Sequence, residues 1–168
     1  TQQQLQQSQG ARAERDILDA MEQANRLIQD QQQISDRVEL TEGLALEGRR
    51  AMAQEIAERK GDLEAGLGAL EGHLDQAARD AAVTERAASR EMAEAAGTIR
   101  DERLRDKVRF SRAMVNRGSD PRSLRAAEND ILNGIAAVQH ELEDALAALG
   151  ESDLEPREQA LDQTGRLA

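Results

Sequence analysis

The sequence predicts an all-α fold, an elongated set of antiparallel helical hairpins packing as a coiled-coil-like bundle of four to five helices. Three observations predict it. Aromatic residues are 1% of the 168 residues and apolar residues 39%, and the apolar side chains are mostly Ala and Leu. Such side chains fill the narrow seam between paired helices better than a wide sandwich or α/β core. Apolar residues recur at steps of three and four along most of the chain, the spacing of one helix face. Two prolines in the whole length, with abundant Gln, Glu, Ala and Arg, leave room for long helices.

The elements follow in order. Residues 1–10, TQQQLQQSQG, read as a Gln-rich polar extension. Ile17, Met21, Ala24 and Ile28 step by four, three and four, and Ile34 and Val38 extend the pattern past a polar interruption at Gln31, so a helix is expected over 11–40. Gly43 and Gly48 break the stripe and place a turn. Leu63, Leu67, Leu70, Leu74, Ala77 and Ala81 give the next helix, 49–80. Its four glycines, 61, 66, 68 and 72, each lower helix propensity by roughly 1 kcal/mol against Ala, so packing on a partner helix must hold it.

Ala88, Met92, Ala95 and Ile99 keep the same phase, with a break favoured at Thr84, giving a helix over 84–97. The phase then slips to Leu104, Val108 and Val115, and Thr98 followed by Asp101 resembles a capping pair, so a restart is expected over 101–117. Gly118 suits a left-handed helix end, and Ser119-Asp120-Pro121 reads as a loop, an N-cap and a first-turn proline. The last helix, 121–149, carries Leu124, Ile131, Val138 and Ala145 seven apart beside Ile135, Leu142 and Leu149, and is expected to end at Gly150. Residues 151–168 read as a linker or weakly helical tail.

Chemistry-bearing motifs are scarce. His73 and His140 lie in no ligand pattern, so no metal is expected. Gly66-Leu67-Gly68-Ala69-Leu70-Glu71-Gly72 has a dinucleotide-loop look, but its last spacing is one residue too long and no strand precedes it. Close helix approach is the better account of those glycines. No nucleophile elbow occurs, and neither a cofactor nor an enzymatic activity is expected. The chain has no cysteine and no apolar run long enough to span a bilayer. It opens on Thr1 and not on Met, which reads as a piece or processed product of a longer chain.

Charge is uneven. The net charge is −11, yet residues 100–125 hold nine basic residues against four acidic ones, +5 there and −16 elsewhere. Three readings compete for this stretch: neutralisation by acidic faces of neighbouring helices, an acidic protein partner, and binding of a polyanion such as nucleic acid or anionic lipid. Nucleic acid is disfavoured by the whole-chain charge and by the lack of interleaved aromatics.

From Ile99 to Val115 the chain reads IRDERLRDKVRFSRAMV, an Ile-Arg step followed by charged residues and then the basic, aromatic, Ser, Arg run Arg109-Phe110-Ser111-Arg112. With the Gln- and Ala-rich helices before it, this resembles the helical extracytoplasmic regions of large, uncharacterised, membrane-anchored bacterial proteins, over about residues 11 to 150. The resemblance implies a helical domain on the periplasmic side of a bacterial inner membrane, tethered through sequence outside this segment. It carries no assigned activity.

The functional expectation is a structural or protein-protein interaction segment that spaces or couples other domains, through a protein partner or self-association. The stripe Leu124, Ile131, Ile135, Val138 and Leu142 would make the contact, and Arg105, Arg109 and Arg112 would choose the partner. The rival is a polyanion-binding module using residues 100–125. An enzyme completed by further chain is the third reading.

Overall fold

The computed structural model describes the backbone of residues 1–165 and the side chains of residues 1–151. Within them the chain forms five helices: α1 (Gln2–Thr41), α2 (Leu46–Ala81), α3 (Arg86–Asp101), α4 (Leu104–Arg117) and α5 (Pro121–Gly165). Each helix packs on its neighbours in chain order, and α5 closes the ring by packing on α1. α3 and α4 lie end to end and together face both α2 and α5, so they form one arm. The result is an all-α, up-down-up-down bundle of four arms. α2, with 36 residues, is about 54 Å long.

The core is a single seam drawn from all four arms. On α1 the buried positions are 13, 17, 20, 24, 27, 31, 34 and 38, in alternating steps of four and three. On α2 they include 56, 60, 63, 67, 70, 74, 77 and 81, with the same alternation. α5 repeats it from Glu128 through Leu149. This spacing keeps one narrow face of each helix turned inward along its whole length, which is how a chain with one aromatic residue encloses a core.

Three boundaries differ from those the sequence suggests. The Gln-rich opening is not a separate extension: α1 starts at Gln2, with Thr1 and Gln4 forming a capping box, because Gln favours helix and nothing in the run breaks it. The restart after Ile99 is not capped by Thr98. α3 runs on to Asp101, and Thr98 Oγ1 instead donates 2.6 Å to Glu141 Oε1 on α5. The break falls at Glu102–Arg103, where Arg103 takes a left-handed conformation with φ 54°. Ile99 and Leu104 are five residues apart, so an unbroken helix would turn Leu104 off the seam; the left-handed step restores the phase.

Gly150 does not end α5, which continues to Gly165 through much of the expected linker or tail 151–168; residues 166–168 lie outside the described residues. A helical glycine costs only about 1 kcal/mol against Ala, and a stop requires the left-handed geometry that Gly118 adopts, with φ 68°. At that turn Gly118 and Ser119 N–H groups bond the Val115 and Met114 carbonyls, Asp120 accepts from the Ser123 N–H at 3.0 Å, and Pro121 opens α5.

Two glycines mark close approaches. A Cβ on Gly134 of α5 would stand 2.2 Å from Leu104 Cδ2, so Leu104, the first residue after the break, plugs the hole that glycine leaves. A Cβ on Gly66 would stand 2.6 Å from Leu27 Cδ2, which brings α1 and α2 together within the glycine-rich stretch. That stretch is continuous helix and forms no loop for a nucleotide.

Candidate interaction surface

The basic stretch lies mostly along the seam between α2 and the α3/α4 arm. Arg100 reaches Glu71 at 3.0 Å and Asp75 at 2.8 Å, and these two carboxylates, Asp75 first, raise its pKa further. Arg109 reaches Glu64 at 2.6 Å and its own neighbour Asp106 at 3.1 Å. Between them Arg105 lies over Gly68, its guanidinium carbon 3.2 Å from where a Cβ would be, and Arg112 lies over Gly61. Glycines on α2 thus give the Arg105 and Arg112 guanidinium groups a shallow bed, and carboxylates of α2 take the alternate heads of Arg100 and Arg109.

Lys107 pairs with Asp130, Arg103 with Asp106 and Arg125 with Glu42, at 3.1, 3.0 and 3.5 Å. Neutralisation by neighbouring helices therefore accounts for much of the patch. These pairs are solvent-exposed, so each contributes about 0–1 kcal/mol. Arg105, Arg112, Arg117 and Arg122 have no carboxylate within 4 Å among the described residues, and they form the part of the patch still open to an outside anion.

The stripe residues expected to meet a partner are placed differently. Ile131, Ile135, Val138 and Leu142 are fully buried in the chain's own core, and Leu124 is half-buried. An up-down bundle spends its apolar faces on itself, so in this fold Ile131, Ile135, Val138 and Leu142 offer no surface to another molecule, and only Leu124, at the end of the bundle, is partly open. What remains outside is scattered: Leu5, Leu18, Leu40, Leu46, Val83 and Phe110 are exposed singly.

The seam also contains a polar layer, of which the sequence shows only the interruption at Gln31. Its buried polar residues, Gln31, Lys60, Ser111 and Glu128, come one from each arm. Lys60 Nζ donates 2.5 Å to Glu128 Oε1, and Gln31 Nε2 donates 2.5 Å to Glu128 Oε2, joining α1, α2 and α5. Arg112 over Gly61 sets the Ser111 turn of α4 at the same level. Lys60 is 0% exposed and Glu128 1%. Burial holds the Lys60 pKa below its ordinary value, against the opposing pull of Glu128. Gln31 Oε1 has no hydrogen-bond partner in this layer. The signal was present: 31, 60 and 128 each fall on a three-four step of their stripe, four residues from Leu27, Ile56 and Leu124.

The histidines do no comparable work. His73 Nδ1 lies 3.1 Å from Gln23 Nε2 across the α1–α2 seam, and His140 is exposed beside Glu143 of its own helix. Among the described residues no group of three metal-ligating side chains comes together. No helix among the described residues is long and apolar enough to cross a membrane.

A concave site lies at the end of the bundle where α1 and α4 finish and α2 and α5 begin. It is a cleft of about 610 Å³ with Val38, Ile56 and Val115 among its lining and Arg49, Arg50 and Arg117 around it. No protein-family model, curated protein or solved structure matches the chain.

Proposed function

We propose that this chain is a structural and protein-interaction segment of a larger, membrane-tethered bacterial protein, a stiff spacer that couples other domains from the periplasmic side and performs no reaction of its own. The observation that carries the reading is the spending of every long apolar stripe on the chain's own core. What such a body offers others is length, rigidity and a charged surface. Partners then engage exposed charge and the ends of the rod, and the buried seam residues act by keeping the rod straight.

The test is sedimentation velocity with far-ultraviolet circular dichroism across a concentration range. The expected result is a helical, elongated species whose helicity does not fall on dilution. Helicity lost on dilution would show that the fold depends on a second copy, and would reject a self-contained spacer.

A second reading, binding of a polyanion through residues 100–125, is favoured by the guanidinium groups left without a carboxylate, Arg105 and Arg112 along the α2 seam among them. It predicts salt-dependent binding to duplex DNA or to anionic vesicles that disappears in the Arg105→Glu/Arg112→Glu variant. Absence of binding at physiological salt removes it.

A further inference from the structure

We propose that the cleft at the end of the bundle opposite Thr1 is a binding site for an amphipathic carboxylate, an aliphatic chain seated on the cleft floor with its head group on Arg50 and Arg117. The core leaves a layer unfilled at this end. Continuing the three-four steps of each arm past Val38, Ile56, Val115 and Leu124 leads to Thr41, Ala53, Gly118 and Pro121, and all four line the cleft, as does Arg49 one step beyond Ala53. None of the four places a large apolar side chain on the axis. Arg49 is drawn away by donating from Nε to the Leu44 carbonyl at 2.7 Å. The core therefore stops one layer short of the helix ends, leaving a cavity of about 610 Å³, inside the range of roughly 300–1,000 Å³ of ligand sites. Val38, Ile56 and Val115 are buried at its base, while Leu46 on its lip is 63% exposed.

The charge on the rim selects the ligand. Two carboxylates line the cleft and both are engaged: Glu42 pairs with Arg125 at 3.5 Å, and Asp120 accepts from the Ser123 N–H and hydroxyl, which hold its pKa low. Arg50 and Arg117 have no carboxylate within 4 Å among the described residues. A chain of net charge −11 thus shows unpaired positive charge over an apolar hollow. An apolar body with a negative head matches it; a cation or a fully polar anion does not. This site is independent of the spacer reading, since a bundle that sediments as expected can still leave the cleft empty.

The test is calorimetric titration of the whole chain with sodium decanoate and, in parallel, with decyltrimethylammonium, below their micellar concentrations. Saturable single-site binding of decanoate with a Kd on the order of 0.1 mM is expected, weakened roughly tenfold in Arg50→Glu/Arg117→Glu and roughly tenfold weaker for the cation. Both arginines are exposed, so circular dichroism of the double variant should match the parent. Ala53→Phe, which fills the cleft without altering charge, should also abolish binding. Equal binding of both amphiphiles, no saturation, or binding unaffected by either variant would overturn the proposal. So would an acidic amphipathic peptide that binds through Arg50 and Arg117 where decanoate does not.

Discussion

At the scale of single residues, two glycines of similar sequence context have opposite roles. Gly134 leaves the hole that Leu104 fills, whereas Gly72 lies mid-helix on α2 with nothing within 4 Å of a Cβ. Gly134→Ala should destabilise the bundle by about 1–3 kcal/mol through overpacking. Gly72→Ala should stabilise it by about 1 kcal/mol through helix propensity. Urea unfolding followed by circular dichroism separates the two, and equal effects would mean that the Leu104 contact is not a tight one. Glu141 supplies a pH test. Desolvation raises its pKa above 4.5, and Glu94, Glu102 and Glu91 add to this against the Thr98 hydrogen bond. One of its oxygens is buried without a partner. A carboxyl whose folded pKa is raised binds its proton more tightly when folded, so stability from this group is present at low pH and lost as pH rises through the raised value. Glu141→Gln keeps an acceptor for Thr98 and removes the charge. The variant should therefore melt higher than the parent at pH 7, with the difference closing toward pH 4; a constant difference would reject the titration as its cause.

At the scale of elements, the arm made of α3 and α4 shows how a chain corrects its own phase. The step from Ile99 to Leu104 is visible in the sequence as a slip, but its solution is not, because Arg103 carries no hallmark of a left-handed residue. Arg103→Gly should raise stability by about 1 kcal/mol, since glycine adopts positive φ without steric cost and the Arg103–Asp106 pair it removes is exposed. A fall in melting temperature would show that the ion pair outweighs the strain. Elsewhere the stripes were legible wherever apolar residues drew them, as from Leu63 to Ala81, and so was the turn at Gly118-Ser119-Asp120-Pro121, whose residues each fix one feature of the backbone. Gln31, Lys60 and Glu128 were not, because a polar residue on a stripe reads as a gap until three helices supply its partners. The direction in which the stripe from Leu124 to Leu142 faces was equally hidden: periodicity reveals that a face is apolar, and only the closure of α5 on α1 decides what covers it. The cleft was invisible for the related reason that it consists of what four distant segments fail to fill.

At the scale of the whole molecule, the polar layer is the point where the four arms are held to one alignment. The apolar part of the seam repeats closely enough that a slip by a heptad would bury similar side chains; the meeting of Lys60, Gln31 and Glu128 would not survive it. Lys60→Met or Glu128→Leu alone leaves a buried charge without its partner and should cost about 3–5 kcal/mol. Changing Gln31, Lys60 and Glu128 together to Leu, Met and Leu should recover that loss, and the amide spectrum of the triple variant should show more than one set of peaks as alternative alignments become populated. A single set of peaks would remove the alignment role while leaving the energetics intact. The antiparallel order of α1 and α5 has a mechanical consequence. Their pairings run from Gln31 with Glu128 near the cleft to Asn25 with Gln139 further along, so residues 11 and 150 sit together at the opposite end. Tension applied between those two points loads the α1–α5 seam one turn at a time, as in a zipper, and does not shear its whole length at once. The ionic layer is met only after most of the seam has parted. Pulled in this way, the rod should yield early and gradually, then resist at the ionic layer.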